Sequence, residues 1–162
     1  MKATSDLTIK ILAFKELPDF NMDDSIDWAL DMMRLGYETP SLLILAGLSK
    51  PTNVYEAESY LVSSLSELGI DIPNREEALY EYCKYFVTRL ARAENIRDNL
   101  LRLYQVARDE LDDKSLFDFY LLYWAWDDLD YSPDYQHYWN GATIDNIESI
   151  VIDTAKRWLQ KH

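Results

Sequence analysis

The sequence predicts an all-α protein, a single compact bundle or irregular array of about seven to eight helices within one domain, residues 1–162. Three observations carry that reading. Helix-starting residues stand just ahead of apolar stripes of helical period, at four or five separate places. Only 4 Gly and 5 Pro are present, which argues against a disordered or all-β chain. The stretches between stripes are short, so successive helices should be antiparallel or steeply crossed neighbours. Hydrophobic residues make up 48%, enough for a core in a chain that can bury about two-thirds of its unfolded surface.

Taken in order, residues 7–14 (Leu7, Ile9, Ile11, Leu12, Phe14) fit both a period of two and a helical face. Helix is favoured because no partner strand is visible elsewhere. Lys15 to Asp24, with Pro18, reads as a loop. Asp24 or Ser25 then caps a helix with Ile26, Ala29, Leu30 and Met33 on one face, and Gly36 supplies a left-handed stop. Thr39-Pro40 starts the next: the hydroxyl is expected to accept from orphan amides, and proline has no N–H to waste. Leu42, Leu43, Ile44 and Leu45 should be buried on most sides, with Gly47 ending the helix.

Asn53 with Glu56 has the form of a capping box, ahead of Val54, Ala57, Leu61, Leu65 and Leu68; Gly69 closes that helix. Asn74 and Glu77 repeat the start before Ala78, Leu79, Tyr82, Phe86, Leu90 and Ala93. Ile96, Leu100, Leu103, Tyr104, Ala107 and Leu111 mark another helix. Ser115 with Asp118 opens a helix running to about Leu129. Thr143 caps the last, with Ile144, Ile147, Ile150, Val151, Trp158 and Leu159 facing inward. No repeat of fixed period is present, so a solenoid is a minor alternative.

Residues 36–48 read Gly-Tyr-Glu-Thr-Pro-Ser-Leu-Leu-Ile-Leu-Ala-Gly-Leu. With Tyr60-Leu61 and the later Glu67-Leu68-Gly69-Ile70, this resembles a group of small bacterial helical proteins sharing a Gly-Tyr-x-Ser/Thr-Pro-Ser-Leu-x-x-Leu-Ala-Gly-Leu core. The resemblance covers about the first half of the chain. No activity is established for that group, so it implies no functional residue. The motif itself looks like packing grammar: glycines stop helices, Thr39-Pro40 starts one, and the leucines fill the core.

The formal net charge is -13, which repels duplex nucleic acid and anionic membrane surfaces. Residues 1–74 hold 12 acidic and 5 basic side chains, residues 75–114 hold 9 and 8, and residues 115–162 hold 8 and 3. The two acidic ends are where a basic partner could dock, although acidity can equally serve solubility alone. The lone Cys83 has no second thiol for a disulfide or a zinc site and reads as a structural thiol. No signal peptide is expected from the first residues, and no run approaches the roughly 20 apolar residues of a membrane span. A cytoplasmic protein is the expectation.

The unusual segment is Phe117 to Trp139. It contains ten of the chain's 22 aromatic residues, more than one buried stripe can hold. Ser115 to Ala142 has no Lys or Arg yet includes Asp118, Asp127, Asp128, Asp130 and Asp134. Three readings follow: a thick core helix with a loop folded over it, a protein–protein surface, or a ligand site. Asp128, Asp130, Ser132 and Asp134 begin like a calcium loop. Pro133 stands where glycine makes the turn, however, and Trp139 where a bidentate Glu belongs. His137 beside Asp134 lacks a recognisable nucleophile or oxyanion donors. No Walker loop, nucleophile elbow or His-Glu-x-x-His helix occurs. Paired carboxylates such as Glu76-Glu77 and Asp112-Asp113 read as solvated helix-start charges.

No catalytic, cofactor or metal residue is therefore expected. The favoured reading is an acidic interaction protein, for example a toxin-neutralising or immunity-type protein. Its contacting set is Tyr123, Asp127, Asp128, Asp130, Tyr131, Asp134 and Tyr135. The partner is expected to be a basic protein; mimicry of DNA charge, or a homodimer through spare rings, stays open. The alternative is a small-molecule or weak metal-binding enzyme using the Asp127–His137 region, which requires those side chains to converge on one point.

Overall fold

A computed structural model describes residues 3–17, 20–110 and 114–162. Pro18 of the expected loop, Leu111 and the Asp112-Asp113 pair lie outside the described residues. Among the described residues the chain forms eight α-helices and no strand, as the all-α reading predicts. They are α1 (Thr8–Leu12), α2 (Asp23–Arg34), α3 (Pro40–Ala46), α4 (Val54–Glu67), α5 (Arg75–Ala91), α6 (Ile96–Asp109), α7 (Phe117–Tyr131) and α8 (Ile147–Lys161). Short 3₁₀ turns at Phe14–Glu16 and Lys114–Leu116 precede α2 and α7. Contacts divide the chain into two compact units, Met1–Tyr82 and Cys83–His162.

In the first unit α3 packs against both α2 and α4. The core is mostly aliphatic: Trp28 is fully buried with Ile11, Met32, Leu42, Leu45, Leu61 and Leu65, and Phe14 is buried in the same cluster. Burying an indole strands its N–H unless an acceptor comes with it. Thr8 of α1 provides one, with Trp28 Nε1 donating to Thr8 Oγ1 at 2.9 Å. Within residues 7–14 the chain is α-helical over Thr8–Leu12 and enters a 3₁₀ turn at Phe14, and α1 supplies a core acceptor. Buried Ser25 and Ser64 donate to carbonyls of their own turns, Met22 O and Tyr60 O, which satisfies the hydroxyls without a tertiary partner.

In the second unit α6 packs on α7 and α8 packs on both. Leu100, Leu103, Leu116, Phe119, Leu122, Leu129, Ile147 and Val151 fill its core. Trp158 of α8 donates from Nε1 to Ser115 O at 3.1 Å, tying α8 to the turn before α7. Buried Asn99 donates to Glu94 O at 2.7 Å.

Helix ends show which local signals hold. Asn53 and Asn74 accept from Glu56 N (3.0 Å) and Glu77 N (2.9 Å), the caps the sequence predicts. Three helices close on a left-handed residue with a six-to-one bond behind it. These are Gly36 (Tyr37 N to Met32 O), Gly69 (Ile70 N to Leu65 O) and Ala93 (Glu94 N to Arg89 O). Gly47 follows α3 in a right-handed conformation, so α3 stops there without a left-handed turn.

Several expected details are corrected. Leu43 and Ile44 are 47% and 46% exposed, because a seven-residue helix can turn only one face inward, here Leu42 and Leu45. The hydroxyl of Thr39 caps nothing and is buried without a partner. Glu67, from the last turn of α4, accepts from Ser41 N instead. Helix α2 begins at Asp23, where Asn21 Oδ1 accepts from Asp23 N, rather than behind a cap at Asp24 or Ser25. Ser115 lies in a 3₁₀ turn and α7 has no side-chain cap. Ala93 sits on the exposed turn after α5, and Cys83 and Val87 take the buried positions. Ile144 is 40% exposed and precedes α8, which starts at Ile147. Thr143 does mark that start, but through its backbone: its O accepts from Ile147 N and its N donates to Asn146 Oδ1.

Candidate functional site

Of the ten rings between Phe117 and Trp139, only Phe119 and Trp126 are buried. Helical geometry explains the split. Phe119, Leu122, Ala125, Trp126 and Leu129 fall on the inward face of α7. Tyr120, Trp124, Asp127, Asp128 and Tyr131 recur at i, i+4, i+7, i+8 and i+11, on the opposite side. The helix is apolar nearly all round, yet only one of its faces is core.

The outer rings are organised. Tyr104, reaching across from α6, stacks on Tyr123 with centroids 3.9 Å apart and planes 12° from parallel. Tyr120 lies 5.4 Å from Tyr104 on one side, and Phe117 continues the row 6.1 Å beyond Tyr120. Trp124 meets both Tyr104 and Tyr123 edge-on, at 5.6 and 5.5 Å. Tyr138, from the loop after α7, covers Trp124 at 6.4 Å. Six rings thus form one continuous strip across α6, α7 and that loop. Stacked and edge-on pairs each contribute about 0.5–1.5 kcal/mol beyond area burial, so the strip is held rigid while its outer members meet solvent. Burial, then the neighbouring Tyr120 hydroxyl, pushes the Tyr104 hydroxyl above the usual tyrosine range, and Arg108 opposes the shift.

The loop that carries Tyr138 has no regular structure, and one side chain shapes it. Gln136 Oε1 accepts from Tyr138 N and Trp139 N, both at 2.8 Å, while Nε2 donates to Trp139 O and to Ala142 O.

The sequence-selected residues divide three ways. Tyr123, Asp127, Asp128 and Tyr131 lie on or beside the outer face of α7, with Tyr131 85% exposed. Asp130 lies on the flank of α7 that meets α6: its carboxylate accepts from Arg97 Nη2 at 2.5 Å, and that guanidinium lies 4.5 Å over the Trp126 ring. Asp134 and Tyr135 belong to the exposed loop, where Tyr135 meets the His137 ring edge-on at 4.6 Å. Asp130 and His137 are thus engaged by separate neighbours. Among the described residues no three His, Cys, Asp or Glu side chains gather into a set that could hold a metal ion. Among the same residues, no helix is long and apolar enough to cross a membrane.

Three residues of this region escaped sequence reasoning. Tyr104 stood out only as one of the residues marking α6; its place in the ring strip is set by α7 and carries no local signal. Arg97 and Gln136 act through partners 33 and three residues away, respectively. Compared with known protein families, curated proteins and solved structures, the chain matches none.

Proposed function

We propose that this chain is a non-catalytic, acidic interaction protein that binds a basic protein through the outer face of α7. The carrying observation is the six-ring strip, two of whose rings, Tyr120 and Trp124, share the outer face of α7 with Asp127, Asp128 and Tyr131. Half-exposed Tyr and Trp rings offer large contact area at little entropic cost because they are already stacked. The two carboxylates stand one turn beyond Trp124, where a lysine or arginine inserted over the rings would meet both π-faces and negative charge. A cationic protein, such as a nuclease toxin with a phosphate-binding cleft, has the complementary chemistry.

The test is capture at low salt from an extract of the native host, repeated with Asp127→Lys/Asp128→Lys and with Trp124→Ala. A basic protein retained by the parent chain, lost on charge reversal and released by salt, is the expected result. Capture that is indifferent to both variants, or a partner without excess positive charge, overturns the reading.

A further inference from the structure

A second feature of residues 83–162 runs against the acidity of the chain. The four Lys and Arg residues between positions 114 and 162 are Lys114, Lys156, Arg157 and Lys161. All four line one or other of two cavities that share Trp139 and Arg157. The first, of about 310 Å³, is bounded by Lys114, Arg157 and Lys161, with the hydroxyl-bearing Ser115 and Thr154 and the rings of Trp139 and Trp158. The second, of about 440 Å³, adds Lys156. Two carboxylates, Asp118 and Asp153, also line them, which leaves the cations in excess. None of the four cations is ion-paired with a carboxylate of the described residues.

Several features give the first cavity a fixed wall. Trp158 is buried, its N–H is held by Ser115 O, and His162 stacks on it at 4.5 Å. Arg157 NH2 donates to Thr154 Oγ1 at 3.3 Å, and Thr154 in turn donates to Ile150 O. That single bond leaves the guanidinium with further donors. Trp139 is placed by the Gln136 amide and stands half-exposed between the two cavities. Cations gathered around hydroxyls and an accessible indole fit a group with several acceptor oxygens attached to a planar body. The distant carboxylates of the chain are screened beyond about 8–10 Å at ordinary ionic strength, so the local excess decides the sign of the site.

We infer that this cleft binds a small phosphate-bearing ligand. Lys114, Arg157 and Lys161 take the phosphate, and Trp139 packs against the ligand's planar portion. Adenosine monophosphate and inorganic phosphate serve as probes in calorimetric titrations of the full chain at low ionic strength, with tryptophan fluorescence as a second readout. Saturable binding of the nucleotide is expected, tighter than that of phosphate and weakened by salt. Arg157→Glu should reduce affinity about tenfold or more while far-ultraviolet dichroism stays unchanged, and Arg34→Glu in α2 should leave binding intact. Trp139→Ala should erase the preference for the nucleotide over phosphate. No saturable binding of the nucleotide, or equal binding by a folded Arg157→Glu variant, overturns the inference. If Arg157→Glu unfolds the chain, Lys161→Glu takes its place under the same criterion.

Discussion

Residues 1–82 close α2 and α4 on glycine, whereas residues 83–162 close α5 on an alanine held in the same left-handed conformation. The contrast extends outward from the turns. The first unit buries its indole at the centre and carries 15 acidic against 6 basic side chains. The second holds 14 against 10 and lines two cavities that share Trp139 and Arg157 with four of its cations, while spreading aromatic rings across its surface. The first unit has departures of its own, Leu43 and Ile44 half-exposed and the Thr39 hydroxyl buried without a partner, but its left-handed turns after α2 and α4 are glycine and its indole is core. In the second, rings that could be core lie outside, and a residue with a Cβ takes a glycine conformation. Departures from local consistency tend to collect where a surface is used for something besides folding.

The largest test of this contrast compares two tryptophans. Trp28→Ala should destabilise by about 3–5 kcal/mol, since it opens a cavity and leaves Thr8 without its donor. Trp124→Ala should cost only about 1 kcal/mol, the loss of edge-on ring contacts at a half-exposed site. Urea unfolding of both variants measures the gap. Equal losses would mean that the outer rings of α7 are structural, and the contrast between the units would fail.

A smaller effect separates the turns. An L-residue in the left-handed region costs about 1–2 kcal/mol, so Ala93→Gly should stabilise the chain by about 0.5–1 kcal/mol after the added freedom of the unfolded glycine is subtracted. Gly69→Ala should do the reverse by about 1 kcal/mol, and for backbone reasons alone, because an added Cβ there meets nothing within 4 Å. Thermal midpoints that move in the same direction for both would break the parallel between the two turns.

The subtlest measurement concerns Tyr104, whose hydroxyl burial shifts upward. As pH rises past about 10, the unfolded chain loses this proton first while the folded chain keeps it. Stability contributed by the partly shielded neutral hydroxyl is therefore complete below that pH and declines as pH climbs toward the folded value. Tyr104→Phe should flatten the alkaline decline in stability. An unchanged slope would remove Tyr104 from the interior of the stack.

How far the sequence could be read follows the range of the interactions involved. Asn53, Asn74, Gly36 and Gly69 act within five residues, and each behaves as its local pattern predicts. Ahead of α3, Glu67 supplies the acceptor from 26 residues away, and no spacing rule reports that. The apolar run at 42–45 overstated burial because hydrophobicity alone cannot say how many sides a helix has covered. At the candidate site, composition located the segment and its excess of rings. It could not show that Asp130 turns to Arg97, that Tyr104 completes the strip, or that cations scattered along 114–161 meet in space.

Gln136 carries a consequence of its own. Its single amide fastens the peptide between Tyr138 and Trp139, and those two adjacent residues look in different directions, one onto Trp124 and the other into the cationic cleft. Swapping the amide for a methyl group would remove its bonds to both residues together, leaving Trp139 O its bond from Ala142 N and Tyr138 its contact with Trp124. Genetic drift at position 136 should therefore be felt at two addresses at once, and a mutational scan would register it as one residue with a double phenotype.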